Sequence, residues 1–414
     1  MNTLTLIFVI ALALSVVLQL WLGQRQARYV SRHRDSVPEA FQEHIALSDH
    51  QKAAGYTLAK LRFGKTELLI GTGLLLIWTL GGGLNWLDQF WRGMQLSPIL
   101  TGLAVIFSFM LISSLLDMPL SLYRTFRLEE RFGFNRMTGK LFVADFLKNM
   151  LLAVLIGGPL LSLVLWLMQD ASALWWLYVW AIWMGFSLLM MWAYPTFIAP
   201  LFNKFSPLDD QALRERIEKL LARCGFRSNG IFVMDGSRRS SHGNAYFTGL
   251  GDNKRIVFFD TLLKSLTPDE VEAVLAHELG HFRRRHIPKR IAVMAVLSFA
   301  GLALLGWLLD YAPFYHGLGV EEPSTYIALL LFMLVMPVFT VYLQPLMAAF
   351  SRKHEFEADD FAARQSDAGT LIQALVKLYQ ENASTLTPDP VYSAFHDSHP
   401  PAPVRIAHLS SKMS

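Results

Sequence analysis

The chain of 414 residues has one cysteine, Cys224. A lone thiol forms no internal disulfide and excludes a cysteine-based zinc site, so any metal must be held by His, Asp or Glu. Charge is also scarce. Only 17% of residues are charged, where a soluble domain has about a quarter. Hydrophobic residues make up 53%, and the mean hydropathy is +0.34. These values exclude an ordinary soluble enzyme and point to a chain that crosses a bilayer repeatedly. The net charge of +4 is small, so the placement of the charges matters more than their sum. No nucleic-acid partner is expected. Internal repeats and low-complexity tracts are missing too. Nor does any Lys or Arg precede the first apolar run, from Leu4 to Leu22. That run passes Ala11-Leu12-Ala13 into more apolar sequence, so it reads as a retained span rather than a cleaved leader.

What is present is a series of apolar stretches. A bilayer core needs about 20 mostly apolar residues per helix. Seven stretches qualify, at roughly 3–22, 67–88, 98–120, 146–168, 172–198, 288–310 and 325–347. A buried helix of a soluble protein keeps a polar face; Leu151–Met168 and Leu174–Trp192 have almost none. Trp166, Trp175, Trp176, Trp180 and Trp192 gather towards the ends of these two spans, as aromatic belts do. The loop after the first span carries Arg25, Arg28, Arg32, Arg34, Lys52, Lys60, Arg62 and Lys65. The loop after the third carries Arg124, Arg127, Arg131, Arg136 and Lys140. Gln169–Ala171 has no basic residue, and Asp310–Ser324 carries Asp310, Glu321 and Glu322. Basic loops stay in the cytoplasm. The N-terminus is therefore expected outside, with the 200–287 region and the C-terminal tail inside.

The chain divides accordingly. Residues 1–200 form a membrane domain of five spans, 201–287 a cytoplasmic α+β segment, 288–347 a membrane hairpin of two spans, and 348–414 a C-terminal segment. Within the polar insertion, Gln211–Cys224 has helical periodicity and Gly225 is its expected stop. Ile231–Met234 reads as a strand. Ala245–Leu250 and Arg255–Asp260 flank Gly251-Asp252-Asn253-Lys254, a hairpin signal.

Thr267-Pro268-Asp269-Glu270 is a helix start, with Thr267 as cap, Pro268 in the first helical position and Glu270 completing a capping box. The helix then carries His277-Glu278-Leu279-Gly280-His281, and Arg283, Arg284 and Arg285 suit its negative end. Pro288 is expected to begin the next element. His277 and His281 are four residues apart and share one face. Two imidazoles at that spacing can hold one Zn²⁺, with Glu278 beside them to take a proton from water. A catalytic zinc has three protein ligands and an open position. The third is sought in Ser351-Arg352-Lys353-His354-Glu355-Phe356-Glu357-Ala358-Asp359. Glu355 and Asp359 share a helix face, so Glu355 can ligate while Asp359 orients a ligand histidine through its ring N–H. Spacing leaves His354 and Glu357 open as rival ligands.

These motifs resemble the type I CAAX prenyl endopeptidases, integral-membrane zinc proteases. The resemblance rests on His277–His281, on Glu355-Phe356-Glu357-Ala358-Asp359 after a membrane hairpin, and on three further signatures. These are Arg131-Phe132-Gly133-Phe134-Asn135, Asn244-Ala245-Tyr246-Phe247-Thr248-Gly249 and Ser398-His399-Pro400-Pro401. Together they cover about 30–410 in the family's order. The resemblance implies one Zn²⁺ per chain on His277, His281 and Glu355, with Glu278 as general base. It implies seven helices around an internal chamber, closed on the cytoplasmic side by a gluzincin-like α+β domain. The stretch Asn244, Ala245, Tyr246 and Phe247 is similar to the edge strand that takes a substrate backbone, and a strand just before the zinc helix can accept a peptide by strand addition. His399 corresponds to the histidine that steadies the oxyanion, with His396 as a neighbouring competitor. Arg405 matches a family arginine with a substrate-carboxylate or structural role.

The short loops, with no evident retrieval signal at Ser411–Ser414, point to a bacterial inner-membrane member. Its substrate is then a peptide or protein, prenylated or not. Membrane-protein quality control on unprenylated chains is an alternative function. A zinc-stabilised scaffold or transporter is another, for which Asp117 and Gln344 are the main polar groups inside spans.

Overall fold

The computed structural model describes residues 2–170, 173–248 and 255–413. Inside a bilayer every backbone N–H and C=O must find a partner within the chain, so long apolar sequence becomes long helix. Helix α1 is Thr3–Arg32, α2 is Leu47–Trp78 and α3 is Gly83–Arg92. Next come α4, Pro98–Tyr123, α5, Gly139–Leu152, and α6, Gly158–Asp170. Trp175–Ala193 is α7 and Ala199–Phe202 is α8. Turns of π-helix at Arg124–Glu129, Ala153–Gly157 and Tyr194–Ile198 keep three spans continuous, Pro98–Glu129, Gly139–Asp170 and Trp175–Phe202.

The polar insertion follows. It holds β1 (Phe205–Pro207), α9 (Gln211–Cys224), β2 (Ile231–Met234), β3 (Ala245–Thr248), β4 (Arg255–Phe259), α10 (Asp260–Ser265) and α11 (Pro268–Arg283). The membrane hairpin is α12 (His286–Leu308), a short α13 (Ala312–Gly317) and α14 (Thr325–Thr340). It leads into α15 (Gln344–Gln365), α16 (Ala368–Glu381), α17 (Pro390–His396) and α18 (Ala402–Ser410).

Among the described residues six helices are long and apolar enough to cross a membrane, and the bent pair α2–α3 makes a seventh. The hydropathy of 67–88 predicts one span. That span is bent by 46°. Gly81-Gly82-Gly83 lies at the break, and Gly82 takes φ +75°, a conformation that glycine adopts without steric cost. Leu14, Val17, Leu155, Val296 and Met333 are exposed on the outer faces, where lipid would cover them. The tryptophans divide. Trp166 and Trp192 are exposed, as a belt requires. Trp175 is buried, and Trp180 Nε1 donates to the Ala295 carbonyl of α12 at 3.0 Å. Trp180 and Trp176, both edge-on to Phe299 of α12, pack α7 against the hairpin.

The insertion forms a four-stranded sheet in the order β1-β2-β4-β3. β2 and β4 are parallel, and the outer two strands are antiparallel to their neighbours. β1 is too short to show in the sequence. Residues 249–254, with the predicted turn, lie outside the described residues. α9 begins on Asp210, which accepts from Leu213 N–H at 3.0 Å, and ends at Gly225 with φ +73°, as predicted. Ile217, Leu220, Phe258, Leu262 and Leu275 are fully buried between sheet and helices. α9, α15 and α16 pack against α11, and the sheet shares the same core. The C-terminal segment is tied to α1: Arg25 forks onto Asp389 at 3.0 and 3.2 Å, and Asp389 caps α17.

Candidate metal centre

Helix α11 starts where the sequence places it. Thr267 N–H donates to Glu270 at 2.7 Å, and Glu270 N–H donates back to Thr267 Oγ at 3.4 Å. Lys377 of α16 pairs with Glu270 at 2.7 Å. This fixes the register of the helix and with it the two histidines. α12 begins at His286, two residues before Pro288. The next helix therefore starts earlier than its proline suggests, because proline sits within a helix's first turn without losing a bond.

His277 Nε2 and His281 Nε2 face each other at 3.2 Å. Glu355 of α15 reaches both, at 3.5 Å from His277 Nε2 and 3.4 Å from His281 Nε2. Donors on a tetrahedral zinc with bonds of ~2.05 Å lie about 3.3 Å apart. The three groups therefore already stand near the spacing a metal needs, and His277, His281 and Glu355 form a possible metal-holding set. Glu355 Oε2 is buried without a hydrogen-bond partner, a costly state that a cation would relieve. The residues fit a metal of the zinc type.

Other charges shape the set. Burial pushes the Glu355 carboxyl up, but His277, His399 and Arg405 outweigh it and bring its pKa to about 2. Burial also raises Glu278, and the pull of His277 and Arg405 does not offset it. Asp359 accepts from His277 Nδ1 at 2.8 Å and from both arms of Arg405 at 2.7 Å. This is the position expected for a group that orients a ligand histidine. Glu357 and His354, the rival ligands, turn away: Glu357 Oε2 lies 3.0 Å from His286 Nε2, and the His354 ring stacks on His286. Glu357 is two residues from Glu355, so on a helix it faces another way.

Two long helices meet so closely because Gly280 has no side chain. A Cβ there would lie 2.9 Å from Ala358 Cα and 3.0 Å from its carbonyl oxygen. Gly280→Val is expected to cost about 1–3 kcal/mol by overpacking and to part the histidines from Glu355. Thermal unfolding and metal analysis of the purified variant check this. Full metal content at unchanged stability would show that the crossing tolerates a side chain.

Glu278, Asn244, Ala245, Arg405, His399 and His396 line one cavity of about 1660 Å³, bounded on its far side by α1 and α2. The resemblance implied a chamber enclosed by seven helices; of the membrane helices, only α1 and α2 line this cavity among the described residues. His399 Nε2 stands 3.6 Å from Glu355 Oε1, while His396 packs on Tyr392 at 4.5 Å. β3 is an edge strand, and Asn244 O accepts from Phe259 N–H at 3.0 Å at its start. Tyr246 and Phe247 are not brought to the cavity. Tyr246 lies against Phe259, and Phe247 packs on Phe282 of α11.

Two features escaped the sequence. One is His286. The other is the anchor of β3: Ser241 N–H donates to the Phe134 carbonyl and Arg136 N–H to the Arg239 carbonyl, both at 3.1 Å. The only signal for the anchor was the Arg131–Asn135 signature, which carried no role.

Membrane-spanning helices bearing a His-Glu-x-x-His helix and a third carboxylate define a membrane metalloendopeptidase. Comparison with known proteins supports this. Residues 26–204 match the model described as "CAAX prenyl protease N-terminal, five membrane helices", and 207–413 match peptidase family M48. A CAAX prenyl protease 1 homologue of Oryza sativa is 40% identical over 76% of this chain and 74% of its own. One of Arabidopsis thaliana is 37% identical over 91% of both chains. The crystal structure of S. mikatae Ste24p superimposes with a TM-score of 0.90 at 33% identity, over 99% of both chains. The chain belongs to the CAAX prenyl protease family of M48 metallopeptidases.

Proposed function

We propose that the chain holds one Zn²⁺ through His277, His281 and Glu355 and cleaves peptides whose backbone pairs with β3. The observation that carries this is that Glu278, His399 and the start of the β3 edge, Asn244 and Ala245, line one cavity, beside the two-imidazole, one-carboxylate set, whose Glu355 lies 3.6 Å from His399. A zinc ion held there would polarise the scissile carbonyl and make a water molecule more acidic. Glu278 takes the proton from the attacking water and returns it to the leaving amine. His399 donates a hydrogen bond to the carbonyl oxygen as negative charge builds on it. Asp359 fixes His277 through its Nδ1–H, and Arg405 fixes Asp359. Asn244 and Ala245 present the strand edge to the substrate.

The proposed substrate is a peptide with a prenylated C-terminal region, the class named for the relatives. A cavity walled on one side by the membrane helices α1 and α2 suits a substrate that carries a lipid. The basic residues around the α1–α2 and α4–α5 connections favour a site on the cytoplasmic face and an N-terminus outside. The compact loops fit a bacterial inner membrane; the relatives cited above are eukaryotic, and the charge argument is the same in either setting.

The test compares one peptide with and without a farnesyl group, before and after chelation. Cleavage of the farnesylated form that chelator abolishes and Zn²⁺ restores is expected. Equal turnover of both forms would assign the chain to quality control of unprenylated proteins. Bound zinc with no chelator-sensitive cleavage would leave a scaffold.

A further inference from the structure

Between α11 and α12 the chain breaks at Arg285, which takes φ +55° and ψ +39°. A side chain in that left-handed region costs free energy that only its surroundings can hold in place. The break turns the next helix so that its first residue folds back on the metal centre. His286 Nδ1 lies 3.0 Å from His281 Nδ1, and His286 is 2% exposed. Its other nitrogen, Nε2, lies 3.0 Å from Glu357 Oε2. His354 stacks on its ring at 3.9 Å and 11°, and Lys289 Nζ stands 3.8 Å from Glu357.

Only one arrangement of protons fits these contacts if His281 gives its Nε2 lone pair to a metal. The Nδ1 of His281 must then carry the proton and donate it to His286 Nδ1. His286 must be neutral, with its own proton on Nε2, donated to the Glu357 carboxylate. The row runs from metal site to carboxylate with every donor matched to an acceptor.

We infer that His286 is the positioning residue of His281. It fixes the tautomer and ring angle of that ligand as Asp359 does for His277. Glu357 and His354 hold His286 rather than the metal. The inference rests on the proposed ligand role of His281. It also explains an asymmetry. His277 is backed directly by a buried carboxylate, whereas His281 is backed by an imidazole with its carboxylate one step further out. Ligand histidines are held by such outer partners, whose loss lowers metal affinity about 10–100-fold.

The test measures zinc affinity of the purified full-length chain by competition with a chromophoric chelator, and the visible spectrum of the cobalt-substituted protein. His286→Leu is expected to bind zinc about 10–100-fold more weakly and to shift the cobalt bands. In His286→Asn, Oδ1 stands as many bonds from the backbone as Nδ1 did and still accepts from His281. It should recover most of the affinity, which a purely space-filling role for His286 would not give. Unchanged affinity and an unchanged cobalt spectrum in His286→Leu would overturn the inference and leave the ligand role of His281 standing. His281→Ala with wild-type zinc affinity would instead overturn the ligand assignment itself. Should His286→Leu fail to fold, Glu357→Ala carries the test: weaker zinc binding supports the row, and none overturns it.

Discussion

Glu278→Gln is expected to lower kcat by about 10²–10⁴-fold, the range for removing a general acid–base group, while zinc stays bound. Glu278 neighbours His277 on α11 and lines the cavity. Among the described residues it has no hydrogen bond or ion pair, so glutamine can take its place without leaving a partner stranded. The ligand set and the fold should persist. Turnover of a fluorogenic peptide, with metal content measured on the same sample, separates this from a ligand variant. His277→Ala should lose activity and metal together. Proteolysis that survives Glu278→Gln with zinc still bound would place the base elsewhere.

Much of the fold could be read from the chain because it depends on composition over long windows. The seven spans follow from hydropathy, and α11 follows from the Thr267 cap and the four-residue histidine spacing. Spacing did not choose among Glu355, Glu357 and His354; only the resemblance named Glu355. All three lie within one turn of α15, and what selects Glu355 is the angle at which α15 crosses α11. That angle depends on Gly280 meeting Ala358, a contact between residues far apart in the chain. His286 was hidden for a related reason: the left-handed break at Arg285 follows no local rule, since arginine rarely adopts it. The aromatic belt was only half visible. Periodicity cannot tell a tryptophan facing lipid from one facing a neighbouring helix, and Trp180 faces α12.

Arg405→Met is expected to destabilise the protein by about 3–5 kcal/mol, the usual cost of removing one partner of a buried ion pair. Arg405 is 5% exposed and Asp359 is fully buried. Their two-armed contact, at 2.7 Å on each arm, is the geometry that arginine offers and lysine does not. Arg405 also stands 3.7 Å from Glu355 and 3.1 Å from the His277 ring. Without it, two buried carboxylates would face each other across His277, and the ring would lose its fixed partner. The resemblance left two roles for this residue, and they predict different outcomes. A carboxylate-binding arginine would raise KM and leave stability unchanged. A positioning arginine would lower stability and metal affinity, and Asp359→Asn would remove much of the same effect. In a double-mutant cycle, Arg405→Met and Asp359→Asn together should therefore cost much less than the sum of the two alone. The saturated, buried guanidinium favours the second outcome. Arg405→Lys should fall between, since it keeps the charge and loses the fork. Additive losses, or a change confined to KM, would return Arg405 to the substrate.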